Sequence, residues 1–195
     1  MPNHPVQLQI DRPKETKRIH VVTRLALLLA FAALGCSAVY WALYLALPAA
    51  VAIVLLQKGG DRYLAEDAPR IVKVLKWLAS AYGYLWLLSD VLPTAQGSPV
   101  DLSVEAGGRP TATSALLRLL FTLPALVVLA VLSAIAGVFW VIGAVFILVR
   151  KRLPAAIADF LALTLRFQFR LVAYHLSLVE QYPSLREKGL VDVAA

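Results

Sequence analysis

Two stretches constrain this 195-residue chain more than anything else in it. Leu25 to Leu56 runs for 32 residues, and Leu119 to Val149 for 31, without one Asp, Glu, Lys or Arg. A hydrocarbon core is crossed by ~20 apolar residues, so each run is long enough to span a bilayer and too long to be a simple span. Hydrophobic residues make up 60% of the chain and charged residues 16%, more apolar surface than one core of this size encloses. A soluble globular domain, a disordered chain and a disulfide scaffold are excluded, the last because Cys36 is the only cysteine.

The formal charge is +7, and its placement matters more than its size. Arg12, Lys14, Lys17, Arg18 and Arg24 precede the first apolar run, and Lys58 and Arg62 follow it. Arg118 precedes the second, and Arg150, Lys151 and Arg152 follow that. Cations at the ends of apolar runs are where anionic headgroups attract them. No aromatic-interleaved basic motif or zinc signature is present, so nucleic acid is not expected as a partner. The stretch Ala33-Leu34-Gly35-Cys36 loosely resembles a lipoprotein processing site, but the apolar run continues for another 20 residues. A signal peptide has a short apolar core with a clear end, so Cys36 is expected to be a small buried residue.

The chain also repeats itself. At an offset of 90 residues Arg62 falls on Arg152, Ala65 on Ala155, Leu75 on Leu165, Lys76 on Arg166 and Trp77 on Phe167. Tyr84 then falls on Tyr174, Leu88 on Leu178, Asp90 on Glu180 and Pro93 on Pro183, with no gap. Each half reads as a long apolar run, a basic turn and a mixed helix ending in Tyr, an acid and Pro. That shared order carries the duplication more than the few identities do. The division expected is a basic tail (1–20), a membrane repeat (21–93), a polar linker (94–113), a second repeat (114–185) and a C-terminal tail (186–195). Gly97, Pro99, Gly107, Gly108 and Pro110 make the linker read as loop, and both ends of the chain are expected to be mobile.

A 31-residue helix is about 46 Å long at ~1.5 Å per residue, against a ~30 Å hydrocarbon core. Each run must therefore tilt, protrude or bend back, and Pro48 and Pro124 are the expected interruption points. Tyr40, Trp41, Tyr44 and Trp140 suit the headgroup interface. The segment from Ala155 to Gln181 is amphipathic: Asp159, Leu163, Arg166, Arg170, Ala173 and Ser177 form one stripe, opposed by Ile157, Phe160, Leu161, Leu165, Phe169, Val172, Leu176 and Val179. Ala65 to Asp90 repeats the pattern with Lys73, Lys76 and Ser80. Such cations are costly at a bilayer centre, so these helices lie in the interface or turn the stripe toward protein or water. The fold class expected is an all-α integral membrane protein of two tandem repeats, each a long apolar transmembrane helix plus an amphipathic helix. Crossing out and back in each half is preferred to hairpins in one leaflet, although it sets the basic tail opposite the basic turns.

Arg170-Leu171-Val172-Ala173-Tyr174 followed by Glu180-Gln181-Tyr182-Pro183, with the Leu123-Pro124 opening and the turn Arg150-Lys151-Arg152-Leu153-Pro154, resembles a known family. It is the bacterial membrane-protein family that carries the domain of unknown function 4389. That family's pattern is similar to Arg-Val-x-Ala-Tyr, then Leu-Leu-Thr-Asp-x-Tyr-Pro. The likeness covers residues 116–185 closely and 25–93 more loosely. Glu180 stands where the family has aspartate, Leu153 where it tends to have tyrosine, and Ser177-Leu178-Val179 where it has Leu-Leu-Thr. The resemblance implies a membrane protein with two copies of the unit and brings no activity with it.

No catalytic, cofactor-binding or metal-binding set is readable. His4, His20 and His175 are too scattered for a metal motif, and only His175 falls on a predicted helix. Gly59-Gly60 reads as a turn rather than a phosphate loop, and there is no nucleophile elbow. The candidate partner- or headgroup-binding residues are Arg150, Lys151, Arg152, Arg166, Arg170, Tyr174, Glu180 and Tyr182. Anchoring a helix end at the interface is the preferred reading of Glu180 and the tyrosines. Ser133 and Gly137 form a small-xxx-small pair of the kind that lets helices approach. The function expected is that of a non-catalytic, multi-pass bacterial inner-membrane protein, a structural or accessory subunit of an envelope assembly. It would use no cofactor, touch anionic lipid headgroups, and bind a protein partner or a second copy of itself. Lipid binding or membrane shaping, with the overlong runs wedged into one leaflet, is the alternative. A small transporter component comes last, because only Ser37, Thr122 and Ser133 bring polar groups into the runs.

Overall fold

The computed structural model describes residues 4–13, 15–33, 36–93 and 99–185, and the side chains of 31–45 lie outside that description. Its elements are β1 (Val6–Ile10), α1 (Arg18–Ala33), α2 (Cys36–Lys58), the single turn α3 (Gly60–Arg62), a π-helical turn (Tyr63–Asp67), α4 (Ala68–Leu85), β2 (Val100–Val104), α5 (Ala112–Arg150) and α6 (Ala155–His175). The chain is mostly helical. It is not all-α, and this corrects the expectation from sequence: the N-terminal tail and the linker, read as mobile end and loop, each supply a strand. Val6, Leu8, Val100 and Leu102 are buried while Gln9, Asp101 and Ser103 are exposed, the alternation of a sheet with one covered face. Five residues of it are easily lost among the surrounding prolines and glycines.

The strands pair antiparallel with Leu8 opposite Leu102. Asp11 and Glu105 extend the ladder by donating to the carbonyls of Pro99 and Pro5. On the outer edge of β1, Arg166 donates from Nε to the Leu8 carbonyl at 3.0 Å and Arg170 to that of Val6 at 3.5 Å. An open edge is an invitation to further pairing, and here α6 closes it with its own cations.

Helix α5 begins with a capping box, in which Thr111 and Ser114 exchange side-chain and backbone hydrogen bonds, and ends at Lys151 in the left-handed region (φ 57°). It is the one helix among the described residues long and apolar enough to cross a membrane, its 39 residues reaching about 58 Å at ~1.5 Å each. Pro124 lies inside it and Pro48 inside α2, and each helix continues past its proline. An interior proline removes one backbone donor and crowds the preceding turn, and the Thr122 hydroxyl bonds the Arg118 carbonyl one turn back. Ala115, Arg118, Thr122, Ala125 and Leu129 are buried in steps of three and four, and Ala136 and Gly143 continue the line in steps of seven, with Ala144 and Ile147 buried beyond them. That heptad seam of mostly small residues brings α6 close. Ser133 and Gly137 lie off the seam, and nothing within 4 Å would meet a Cβ at Gly137.

Helix α6 runs back along α5, with Ile157 against Gly143 at one end and Tyr174 under Arg118 at the other. The first apolar run is divided between α1 and α2, with residues 34–35 outside the description. Thr16 donates to Lys151 and Arg18 to Val149, while Gly60 lies against Pro110. The run therefore starts beside the end of α5 and finishes beside its start, and neither run folds back on itself. His20, which sequence places outside any helix, belongs to α1.

Three layers result. Helices α1, α2 and α5 form the first, α4 and α6 the second, and the two strands the third. Strand β1 packs on α6 and β2 on α4, so each strand covers the amphipathic helix of the other half of the chain.

Candidate functional site

Helices α4 and α6 end alike. Each closes with two backbone bonds around a left-handed residue: Leu87 (φ 64°) and Ser177 (φ 57°), with Leu88 donating to Gly83 and Leu178 to Ala173. This is the Schellman arrangement, adopted without the glycine that usually eases it. Something else must hold these turns, and in both cases it is an arginine from the start of an apolar helix.

At the α6 end, Arg118 is buried and lies 4.5 Å over the Tyr174 ring. Its Nη1 donates to the carbonyls of Tyr174 and Val179, both at 2.6 Å. Glu180 accepts the Arg109 backbone N–H at 2.7 Å. Tyr182 stacks edge-on against Tyr174 and donates from its hydroxyl to the Phe121 carbonyl at 3.2 Å. At the α4 end, Arg24 is buried 4.7 Å over the Tyr84 ring, donates to the Ser89 carbonyl and pairs with Asp90 at 2.8 Å. Asp90 accepts the Lys17 backbone N–H at 3.0 Å, and His20 bonds the Tyr84 hydroxyl at 3.0 Å.

These two closures sit at opposite ends of α5, and the eight residues singled out from sequence accordingly do not form one site. Tyr174, Glu180 and Tyr182 belong to the α6 closure. Arg150, Lys151 and Arg152 lie exposed at the far end, Arg150 over the Phe146 ring at 5.6 Å. Arg166 and Arg170 lie between, turned toward β1. Arg170 also donates to the Ser184 carbonyl at 2.9 Å. Its charge and, more strongly, burial hold the His4 imidazole below the usual histidine range.

Sequence reasoning missed Arg24, Tyr84 and Asp90 as a set. The signal was present at an offset of 94, which carries Pro5-Val6-x-Leu8 onto Pro99-Val100-x-Leu102 and Arg24 onto Arg118. The stretch from arginine to tyrosine is four residues shorter in the second half, so an alignment started at Arg62 with an offset of 90 does not reach it.

A second feature has no motif at all. Helix α5 packs along α6, whereas α2 stands off from α4 and leaves a groove of about 610 Å³. Leu47, Val51 and Val54 of α2 face Ile71 and Val74 of α4 across it, with Phe169 and Val172 of α6 as the floor. Asp67 and Arg70 stand on the rim, Asp67 paired with Lys58 at 2.9 Å. At one end the Tyr63 hydroxyl donates to the Leu176 carbonyl, and burial, helped by the charge of Asp67, pushes its pKa up to about 12. No cluster of metal-ligating side chains occurs among the described residues.

Residues 112–185, which comprise α5, α6 and the closure that follows, match a family model described as Domain of unknown function (DUF4389). No curated protein and no solved structure matches the chain.

Proposed function

With residues 112–185 belonging to the DUF4389 family, we propose that the whole chain is two tandem copies of that unit, forming a non-catalytic membrane protein that lies within one leaflet of the bacterial inner membrane and bends it. The order strand, apolar helix, amphipathic helix occurs twice, and the arginine–tyrosine–acid closure occurs in each. Leu8 pairs with Leu102, its own counterpart at the offset of 94. Such self-pairing relates the halves by an approximate two-fold axis through the sheet, with the strands exchanged between them. The two halves then run in opposite directions.

One observation carries the seat in the membrane: the apolar stripe and the polar layer occupy opposite faces at the same height. Exposed apolar residues continue along α5 from Leu116 through Val131 to Val149. Ile157 meets Gly143 and Tyr174 meets Arg118, so Arg166 and the strand it bonds lie opposite the middle of α5. Lys76 and Asp101 pair across α4 and β2 at 3.7 Å and are both exposed. An upright α5 would carry these charges and the strands into hydrocarbon. That costs ~2.5–3.5 kcal/mol per charge at the centre, and several more for each strand group left without a partner. Lying flat, the first layer enters the acyl chains by ~5–10 Å, the amphipathic helices reach the headgroups, and the sheet meets water. All the flanking cations then share one side, which removes the conflict with the positive-inside tendency.

The reading is non-catalytic because the buried arginines are engaged with carbonyls of the fold itself. Incorporation into liposomes at rising protein-to-lipid ratio tests the proposal: vesicle diameter by electron cryomicroscopy falls or tubules form. Unchanged diameters at full incorporation reject it. The exposed Val74 and Trp77 on α4 favour a second reading, an accessory subunit whose partner covers that face. Purification in mild detergent followed by mass spectrometry would then return a stoichiometric partner.

A further inference from the structure

The groove beside α4 is where the two halves differ most. At the offset of 90, Tyr63, Asp67 and Arg70 correspond to Leu153, Ile157 and Phe160. In the second half those apolar residues fill the space between the long helix and the amphipathic one. Phe160 stacks edge-on against Phe139 at 5.0 Å, and Leu153 and Ile157 close on Gly143. In the first half two of the same positions, Asp67 and Arg70, carry charge, the long helix stands away, and the space is open. The walls that remain are apolar.

We infer that this groove holds one acyl chain of an anionic phospholipid, its headgroup at Arg70. The inference rests on the seat in the membrane proposed above, which sets α2 among acyl chains and α4 at headgroup height. A volume of about 610 Å³ lies within the range of small-molecule pockets. Charge selects the head. Asp67 and Glu66 share Lys58, while Arg70 is exposed and has no ion pair among the described residues. The rim therefore presents a guanidinium without an ion pair over an apolar slot.

The test uses the full chain reconstituted in vesicles of equal parts phosphatidylcholine and phosphatidylglycerol, extracted in mild detergent, with retained lipid counted by native mass spectrometry. The wild type is expected to keep one phosphatidylglycerol. Ala50→Trp and Val74→Trp, which fill the groove from opposite walls at exposed positions, are expected to keep none. Arg70→Gln is expected to keep a lipid but to lose the preference for phosphatidylglycerol roughly fivefold. Equal retention by the tryptophan variants overturns the inference, as does a free fatty acid in place of phospholipid or no lipid at all. Sidedness of Asp61→Cys and Arg152→Cys in the same vesicles separates the two failures. Labelling from one side without retained lipid refutes the groove alone, and labelling from opposite sides refutes the seat.

Discussion

Replacing Arg118 by alanine should cost more stability than any exposed cation in the chain. The Tyr174 carbonyl also accepts from Ser177 and keeps a partner when the guanidinium is gone. The Val179 carbonyl loses the one bond that reaches it from Arg118. Hydrogen bonds from a charged donor contribute ~1.5–3 kcal/mol, and a buried acceptor left unpaired costs ~1–3 kcal/mol. The stack over Tyr174 adds up to ~2 kcal/mol where it is desolvated. Discounting for overlap among these, the loss is about 4 kcal/mol, or roughly 8–16 °C in melting temperature at ~2–4 °C per kcal/mol for a chain of this size. Thermal unfolding in detergent, followed by circular dichroism, measures it. Arg118→Lys should fall between, because an ammonium is a point charge without the planar fork. The exposed Arg152→Ala should change stability by less than ~0.5 kcal/mol. If Arg118→Ala melts with Arg152→Ala, the closure does not hold the end of α6.

A Cβ at Gly83 would meet Val100 at 2.6 Å, so Gly83→Ala should destabilise by ~1–3 kcal/mol; Val100→Ala on the same chain should cost less than the two changes summed, read by the same melts. His4 has its pKa lowered by burial and by Arg170, so below the unfolded value of ~6.5 the unfolded state takes up the proton first. Stability should therefore fall as pH drops through 6.5 and level off once the folded-state pKa is passed, and His4→Gln should flatten that slope. Tyr63, raised to about 12, has the opposite sense: its contribution is complete below pH ~10 and is lost as pH rises toward 12. Tyr63→Phe should remove that alkaline loss while costing ~1–2 kcal/mol at neutral pH for the unpaired Leu176 carbonyl.

The long helices were legible because an uncharged run of thirty residues has few other fates, and α6 because its stripe repeats at helical spacing. The strands were not: period two over Val6–Ile10 and Val100–Val104 is short, and their stability comes from pairing with each other across 94 residues, which no local window contains. The closing tyrosines and acids were visible as a recurring pattern, yet their arginines were not, since the intervening lengths differ between halves. Arg166 and Arg170 illustrate the opposite failure. They read as a stripe facing headgroups, water or protein, and the structure turns them onto the carbonyls of β1, a partner that the strand-free reading had no means to name. The groove was invisible because its meaning lies in what Asp67 and Arg70 replace.

Whether the apolar layer lies flat is decided most directly by sidedness. In a chain with Cys36 replaced by alanine, Asp61→Cys marks one end of α5, Arg152→Cys the other, and Ser103→Cys the outer face of the sheet. All three positions are exposed. A membrane-impermeant maleimide applied to spheroplasts and to inverted vesicles should label all three from the same side. Labelling of positions 61 and 152 from opposite sides would mean that α5 crosses the bilayer, and the in-plane account would be wrong.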